Sequence, residues 1–278
     1  MKEISFFDLK KILTSKWAHK PGYGWFARRG GFSKQKAEDW EQATFPEDLK
    51  LLQKLGMKKG EKILAIAGYY ASWASQIAKA GTKVDYSDIA QSMVNYSKKQ
   101  YGNLFGKYIC SYYELIPKKA KEYDWTFTFE ACGAGKGLTL AYLRSLLNNK
   151  GGMLVIYNRK MFTRPKRIRY PRIVSKLAEI YGADWSTRKV NFKGHSKVTP
   201  MKVLPHLVYT IETNDSARKK VELDLRVLDK IKDKRIINLE EEAEKLDLEK
   251  NVFKEAILRL SKVSRIPTTK HRRKIKLI

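Results

Sequence analysis

Short apolar runs alternate with amphipathic segments through the middle of this sequence, and this alternation constrains the fold more than any other feature. The runs that predict strands cover residues 63–67, 83–87, 125–129, 153–157 and 203–211. The segments with helical periodicity cover residues 72–80, 92–100 and 138–147. Strands that alternate with helices predict an α/β domain, in which helices cover a mainly parallel sheet.

The chain has 278 residues, which is long for one domain and predicts a large domain with a smaller one. Residues 1–60 are expected to form an N-terminal helical and basic-aromatic region that packs on the core. Residues 61–216 are predicted as the α/β domain, and an acidic-polar turn at 212–216 marks its end. Residues 217–278 are predicted as a small basic domain.

The sequence carries a large excess of positive charge, with 57 lysines and arginines against 29 acids and a net charge of +28. Such a surplus favours encounters with polyanions. Nucleic acid is the first candidate partner, with RNA favoured over DNA, and an anionic membrane surface is the other. The chain lacks an apolar stretch of the roughly 20 residues that a membrane span needs, and a soluble, cytoplasmic protein is expected.

A basic segment at residues 159–202 contains 13 lysines and arginines and only two acids. Its cations are interleaved with Phe162, Tyr170 and Trp185, and guanidinium groups beside aromatic rings suit RNA contacts. Arg28 and Arg29 are expected to extend this surface. The residues of the segment predicted to bind nucleic acid are Arg159, Lys160, Arg164, Lys166, Arg167, Arg169 and Arg172.

The turn after the first predicted strand and the acid at the end of the second indicate a nucleoside site. The turn consists of Ala67, Gly68, Tyr69 and Tyr70. Asp88, followed by Ile89, lies about 20 residues beyond it. Small residues let the backbone approach a ligand at the carboxyl ends of the strands. A carboxylate there can accept hydrogen bonds from both ribose hydroxyls.

This run resembles class I S-adenosylmethionine-dependent methyltransferases over roughly residues 45–160. The resemblance implies a Rossmann-like methyltransferase sheet with helices on both faces, and S-adenosyl-L-methionine as the cofactor. The loop departs from the family pattern, since Ala67 and Ala71 replace the outer glycines and Tyr69 replaces the central one. Ala65 stands where an acid is usual. A different nucleotide ligand, or a domain of this shape that binds no cofactor, are the alternatives.

The resemblance also implies which side chains meet the substrate and the adenine. The loop after strand 125–129 faces the methyl group in that family, which makes Glu130 and Cys132 candidates for catalysis and Glu130 a candidate cofactor contact. A solvated acid and a buried apolar thiol are the alternative roles. Tyr112 and Tyr113 are candidates for stacking on adenine, or for packing in the core. The four histidines are scattered singly, and no metal site is predicted.

The C-terminal region resembles winged helix-turn-helix domains. Helices are predicted at 221–231, 239–245 and 249–262, with a turn at 246–248 and a basic wing at 266–278. Val252, Ala256, Ile257 and Leu260 form the expected inward stripe. The predicted outer face carries Lys250, Lys254 and Arg259, and the wing carries Arg272 and Arg273; of these, Lys250, Lys254, Arg272 and Arg273 are expected to contact nucleic acid.

Three hypotheses for function follow. The first is an S-adenosylmethionine-dependent methyltransferase that acts on structured RNA, either tRNA or rRNA. The second is a catalytically inactive RNA- or ribosome-binding protein built on the same fold. The third is a DNA-binding winged-helix regulator whose α/β domain senses a nucleotide.

Overall fold

The computed structural model describes residues 53–54, 56–66, 71–88, 91–111, 116, 119–129, 135–150, 153–158, 170–192, 204–231 and 237–264. Its strands are β1 (Lys62–Ala65), β2 (Lys83–Asp88), β3 (Tyr108–Cys110), β4 (Trp125–Phe129), β5 (Met153–Asn158), β6 (Asp184–Phe192) and β7 (Leu204–Glu212). Its helices are α1 (Ser72–Lys79), α2 (Gln91–Tyr101), α3 (Gly135–Ser145), α4 (Tyr170–Tyr181), α5 (Asp215–Ile231), α6 (Leu239–Glu244) and α7 (Lys250–Ser264). A single 3₁₀ turn, Gly102–Leu104, follows α2 among these residues.

The strands described above form one sheet in the order β3-β2-β1-β4-β5-β7-β6. The pairs from β3 across to β5 are parallel, whereas β7 runs antiparallel to both β5 and β6. The predicted α/β architecture is therefore confirmed. β6 was missed, because its run of Asp184, Ser186, Arg188 and Lys189 shows little apolar character.

Two hydrophobic clusters cover the two faces of the sheet. Successive residues of a strand point to opposite faces, so Ile63 and Ala65 pack with α1 and α2, while Leu64 and Ile66 pack with α3, α4 and α5. The first cluster includes Val84, Tyr86, Ala74, Ile77, Val94 and Phe105. The second includes Leu143, Leu146, Ile173, Leu177, Tyr181 and Val221. Helices therefore cover both faces, as the sequence predicts.

The basic segment 159–202 contributes to the fold as well as to the charge. Helix α4 buries Ile173, Val174, Leu177 and Tyr181 in the core, and β6 closes one edge of the sheet. The apolar positions in α4 are spaced for a single buried face. Its charged residues Lys176 and Glu179 are exposed and form an ion pair with each other.

Helix α5 links the sheet to a C-terminal helical cluster. Its residues Ala217 and Val221 belong to the sheet core, whereas Val227 and Ile231 pack with α6 and α7. Between α6 and α7, Asp247 has φ 54, and the amide of Leu248 donates to the carbonyl oxygen of Ala243 at 3.0 Å. Three helices with this turn match the predicted helices. The predicted wing 266–278 lies outside the described residues, so the winged-helix domain stays a prediction.

A buried carboxylate joins the C-terminal helices to the sheet domain. Asp224 on α5 is fully buried. The hydroxyl of Tyr181 on α4 donates to its Oδ2 at 2.7 Å, and Arg259 on α7 donates from Nη2 to its Oδ1 at 2.7 Å. Burial raises the pKa of the Asp224 carboxyl, and the bonds from Arg259 and Tyr181 oppose that rise. The prediction that Arg259 lies on the outer face is therefore wrong, because its guanidinium neutralises an interior charge.

Replacing Arg259 with leucine should destabilise the fold strongly, because it leaves the Asp224 carboxylate buried without its cationic partner. Loss of one partner of a buried pair costs about 3 kcal/mol or more, and urea denaturation measures this loss. Arg226→Leu is the control, since Arg226 is exposed on α5 and donates one bond to the carbonyl oxygen of Leu246; its cost should stay within about 1 kcal/mol. Equal losses in the two variants would contradict a structural role for the Asp224 pair.

Candidate functional site

The order of the strands places a topological switch point at the carboxyl ends of β1 and β4. β1 pairs with β2 on one side and with β4 on the other. The strands that follow β1 are therefore added first on one side of it and then on the other. The amide of Ile66 continues this pairing by donating to the carbonyl oxygen of Phe127 at 2.9 Å. Ligands of open α/β sheets bind at such a switch point. The candidate site therefore lies at this carboxyl edge.

Asp88 ends β2 at this edge, and its side chain is buried. The hydroxyl of the preceding residue, Ser87, donates to the carbonyl oxygen of Ala65 at 3.0 Å. This bond ties the ends of β1 and β2 together. The Asp88 carbonyl oxygen accepts from the amide of Ser111 at 3.1 Å, which ties β2 to the chain after β3. The carboxylate is thus carried by a strand end that is fixed on both sides.

A second buried acid on β2, Asp85, has a structural role. Its carboxylate accepts a hydrogen bond from the Tyr123 hydroxyl at 2.7 Å and lies 3.3 Å from the Lys62 ammonium group. Gly106 leaves room for it, since a Cβ there would lie 2.6 Å from Asp85 Oδ1. Burial, followed by the bond to Asp85, raises the pKa of Tyr123 above its ordinary value. Of the two acids, Asp88 alone ends the strand at the carboxyl edge.

The loop after β1 ends with an unusual backbone conformation. Ala71 is buried and precedes α1 with φ 63 and ψ 13, in the left-handed region. Its carbonyl oxygen accepts the amide of Ser75 at 2.8 Å and so begins the helix. Glycine adopts this conformation without the steric cost that a Cβ brings. Ala71 therefore has a glycine-like backbone at the position where the sequence resemblance predicts that an alanine replaces a glycine.

Cys110 is a neighbour of Asp88 that the sequence did not identify as a site residue. The two residues are paired across β2 and β3, and Cys110 is exposed. Burial of its sulfur, followed by the charge of Asp88, raises the pKa of the Cys110 thiol. Because the thiolate is the nucleophilic form, this environment disfavours a nucleophilic role for Cys110. Only the pairing of β2 with β3 reveals this contact.

Most of the predicted site residues lie outside the described residues, and their roles stay predictions. For the cofactor and the substrate these are Ala67, Gly68, Tyr69, Tyr70, Ile89, Tyr112, Glu130 and Cys132. For nucleic acid they are Arg28, Arg29, Arg159, Lys160, Arg164, Lys166, Arg167, Arg169, Arg272 and Arg273. Arg172 lies in α4. Lys250 and Lys254 are exposed near the start of α7, where Lys250 pairs with Glu240.

Substitution of Ala71 by glycine should be neutral or stabilising, by up to about 1 kcal/mol, because glycine removes the left-handed strain. Ala78→Gly is the matched control, since Ala78 lies within α1, where glycine costs about 1 kcal/mol relative to alanine. Thermal and urea unfolding of both variants measure the difference. Equal destabilisation by the two substitutions would contradict a strained conformation at Ala71.

Comparisons with known proteins bear on the fold. No family model matches the sequence, and no curated protein matches it.

In the described part of the chain, no helix is long and apolar enough to cross a membrane. There, too, no three histidine, cysteine, aspartate or glutamate residues form a group that could hold a metal ion.

Solved methyltransferase structures are similar to this chain in fold. Magnesium protoporphyrin IX methyltransferase from Synechocystis PCC 6803, with bound SAM, has a TM-score of 0.51 at 14% identity, over 76% of this chain and 99% of that one. Phosphoethanolamine N-methyltransferase 1 from Haemonchus contortus, with phosphoethanolamine and S-adenosylhomocysteine, has a TM-score of 0.49 at 12% identity, over 87% of this chain and 59% of that one. A SAM-dependent methyltransferase from Aquifex aeolicus has a TM-score of 0.42 at 19% identity, over 74% of this chain and 99% of that one.

The similarity to the Synechocystis structure concerns the fold and is consistent with the sheet described above. SAM is bound in the Synechocystis structure, and it is the cofactor that the sequence predicts for this chain. This chain therefore has the Rossmann-like methyltransferase fold, an α/β architecture with a largely parallel sheet.

Proposed function

We propose that this chain is an S-adenosylmethionine-dependent methyltransferase that acts on structured RNA, either tRNA or rRNA. The observation that carries the proposal is the buried Asp88 carboxylate at the end of β2, beside the switch point of a methyltransferase fold. Burial from solvent strengthens hydrogen bonds to a carboxylate, because the local dielectric constant is lower than that of water. Asp88 is thus suited to accept hydrogen bonds from the two ribose hydroxyls of the cofactor.

Other residues at the carboxyl edge would complete the cofactor site. The residues assigned to it from sequence are Ala67, Gly68, Tyr69, Tyr70, Ile89, Tyr112 and Glu130. Ala71, which follows the loop assigned to the cofactor, has a glycine-like backbone of the kind used where a chain approaches a ligand closely. When bound, S-adenosylmethionine supplies an electrophilic methyl group on a sulfonium. Glu130 and Cys132 would border the substrate atom, and holding that atom in line supplies much of the rate.

The RNA substrate is proposed from the charge of this chain. The similar structures are named for a porphyrin and for phosphoethanolamine, which are small molecules. This chain carries a net charge of +28, with a net +11 in the segment 159–202. A positive charge of this size favours encounters with polyanions, and contacts between cations and phosphates make binding salt-dependent.

Replacing Asp88 with asparagine should weaken S-adenosylmethionine binding at least about tenfold, because hydrogen bonds to a charged group contribute about 1.5–3 kcal/mol each. Isothermal titration calorimetry measures the affinity. Asp85→Asn is the matched control, since both acids are buried on β2 but Asp85 bonds to Tyr123 away from the edge. The control should lose stability and keep wild-type affinity. No heat from wild-type protein at millimolar cofactor would contradict the proposal and favour an inactive RNA- or ribosome-binding protein.

RNA should be the nucleic acid bound in cells, and crosslinking followed by sequencing of the bound material identifies it. We expect recovery of one class of structured RNA, since the cations and aromatics of segment 159–202 suit it. Purified protein should then transfer a radiolabelled methyl group to an unmodified transcript of that RNA. Recovery of promoter DNA alone would contradict the proposal and favour a DNA-binding regulator.

A further inference from the structure

Residues 53–111 expose their lysines and bury their acids. The described part of this range contains nine lysines and three acids, and the acids Glu61, Asp85 and Asp88 are all buried. Lys62, which is only partly exposed, pairs with Asp85. The remaining lysines are exposed, and we call them the amino-edge lysines: Lys54, Lys58, Lys59, Lys79, Lys83, Lys98, Lys99 and Lys107. The surface they share therefore carries charge of one sign.

The topology brings these lysines to the edge where the strands begin. Lys54, Lys58 and Lys59 precede β1, Lys83 begins β2, and Lys107 precedes β3. The helices between parallel strands return in the opposite direction, so they end at the edge where the strands start. Lys79 lies in the last turn of α1, and Lys98 and Lys99 lie in the last turn of α2. All eight lysines thus belong to the amino edge, opposite Asp88.

Backbone contacts hold part of this group together. The amide of Gly60 donates to the carbonyl oxygen of Gly81 at 2.9 Å, which joins the turn before β1 to the turn before β2. The Lys59 stem crosses Gly81, where a Cβ would lie 2.7 Å from Lys59 Cγ. Gly81 is flanked by Lys79 and Lys83. Lysines carried by three separate elements therefore lie next to one turn.

Helix dipoles explain only part of the arrangement. Lysines in a last turn stabilise the negative end of a helix, and this accounts for Lys79, Lys98 and Lys99. It does not account for the five lysines that precede or begin strands. Among acids of the described residues, Glu122 pairs with Lys107 at 3.5 Å. The ammonium groups of the other seven amino-edge lysines form no ion pair with an acid of the described residues, although the backbone amide of Lys58 donates to Glu61 Oε2 at 2.9 Å. Within that part of the chain, no carboxylate neutralises these seven charges.

We propose that the amino-edge lysines bind the phosphate backbone of the RNA substrate, at the side of the sheet opposite the cofactor edge. This inference rests on the proposed function and adds a second contact region to it. β2 has six residues, so the two edges are separated by about 20 Å at roughly 3.3 Å per residue. The RNA would therefore be held at a position distant from the methylated nucleotide, which favours a large folded substrate over a short single strand.

The composition of the surface favours RNA over a membrane or an acidic protein. Amphipathic membrane contacts need apolar side chains beside the cations, yet the exposed large apolar residues in the described structure, Trp185 and Leu258, lie on β6 and α7. Protein interfaces are depleted in lysine and enriched in arginine and aromatic residues. The eight cations here are all lysine, and lysine acts as a point charge toward phosphate.

The triple variant Lys79→Gln, Lys83→Gln and Lys99→Gln tests the proposal. Its matched control is Lys219→Gln, Lys220→Gln and Lys230→Gln, three exposed lysines of α5 that share their helix with exposed Glu222 and Asp229. The probe is an unmodified tRNA transcript, titrated at several salt concentrations. The amino-edge triple should bind at least about tenfold more weakly, and its salt slope should fall by about 2 to 3, since each lost phosphate contact removes about 0.7–0.9. The control should stay close to wild type.

Calorimetry with S-adenosylmethionine separates this inference from the proposed function. Both triples should keep wild-type cofactor affinity, because the substituted lysines are remote from Asp88. Absence of cofactor binding in wild-type protein would contradict the proposed methyltransferase function. The tRNA titrations would then still test whether the amino-edge lysines bind RNA. Equal weakening by both triples, or none by either, would overturn the inference. Binding to phosphatidylserine vesicles that the amino-edge triple abolishes, with tRNA binding intact, would assign the surface to a membrane and overturn it too.

Discussion

β1 lies between β2 and β4, and parallel hydrogen bonding to both neighbours sets the two edges of the sheet. Every strand from β3 to β5 ends at one edge and begins at the other. The carboxylate of Asp88, the glycine-like backbone of Ala71 and the thiol of Cys110 belong to the first edge, and the amino-edge lysines belong to the second. The proposed cofactor site and the proposed RNA contact are thus separated by about the length of a strand.

Two buried acids of the described residues, Asp85 and Asp224, have similar surroundings. The carboxylates of Asp85 and Asp224 each accept a hydrogen bond from a tyrosine hydroxyl and pair with a cation. These partners lie on other elements, and they offset the free-energy cost of burying the charge. Such networks hold helices and strands in register, and removal of one partner leaves an uncompensated charge. Asp88 is also buried, and it lies at a strand end beside the switch point. Position in the sheet, rather than burial, distinguishes the candidate ligand-binding carboxylate from the structural ones.

Periodicity in the sequence predicted much of the fold. Short runs rich in apolar residues identified β1, β2, β4, β5 and β7 to within a few residues, because a strand that buries a face needs apolar side chains on it. The position of Asp88 after the second run followed from the same pattern. β6 and the antiparallel end of the sheet were missed, since an edge strand with one solvated face reads as polar. Arg259 was wrongly predicted to lie on the outer face of its helix. Helical periodicity predicts which side of a helix a residue lies on, but it does not reveal that a carboxylate on another helix faces that residue.

The sequence by itself determined the α/β class, the place of an acid at the end of the second strand, and the positive charge of the chain. These properties depend on local periodicity and composition, which need no knowledge of distant contacts. Tertiary structure alone decided that Ala71 adopts a left-handed backbone, that Arg259 neutralises Asp224, and that acids of residues 53–111 are buried while lysines collect at one edge. The last two depend on residues far apart in the chain, which strand order and helix packing bring together.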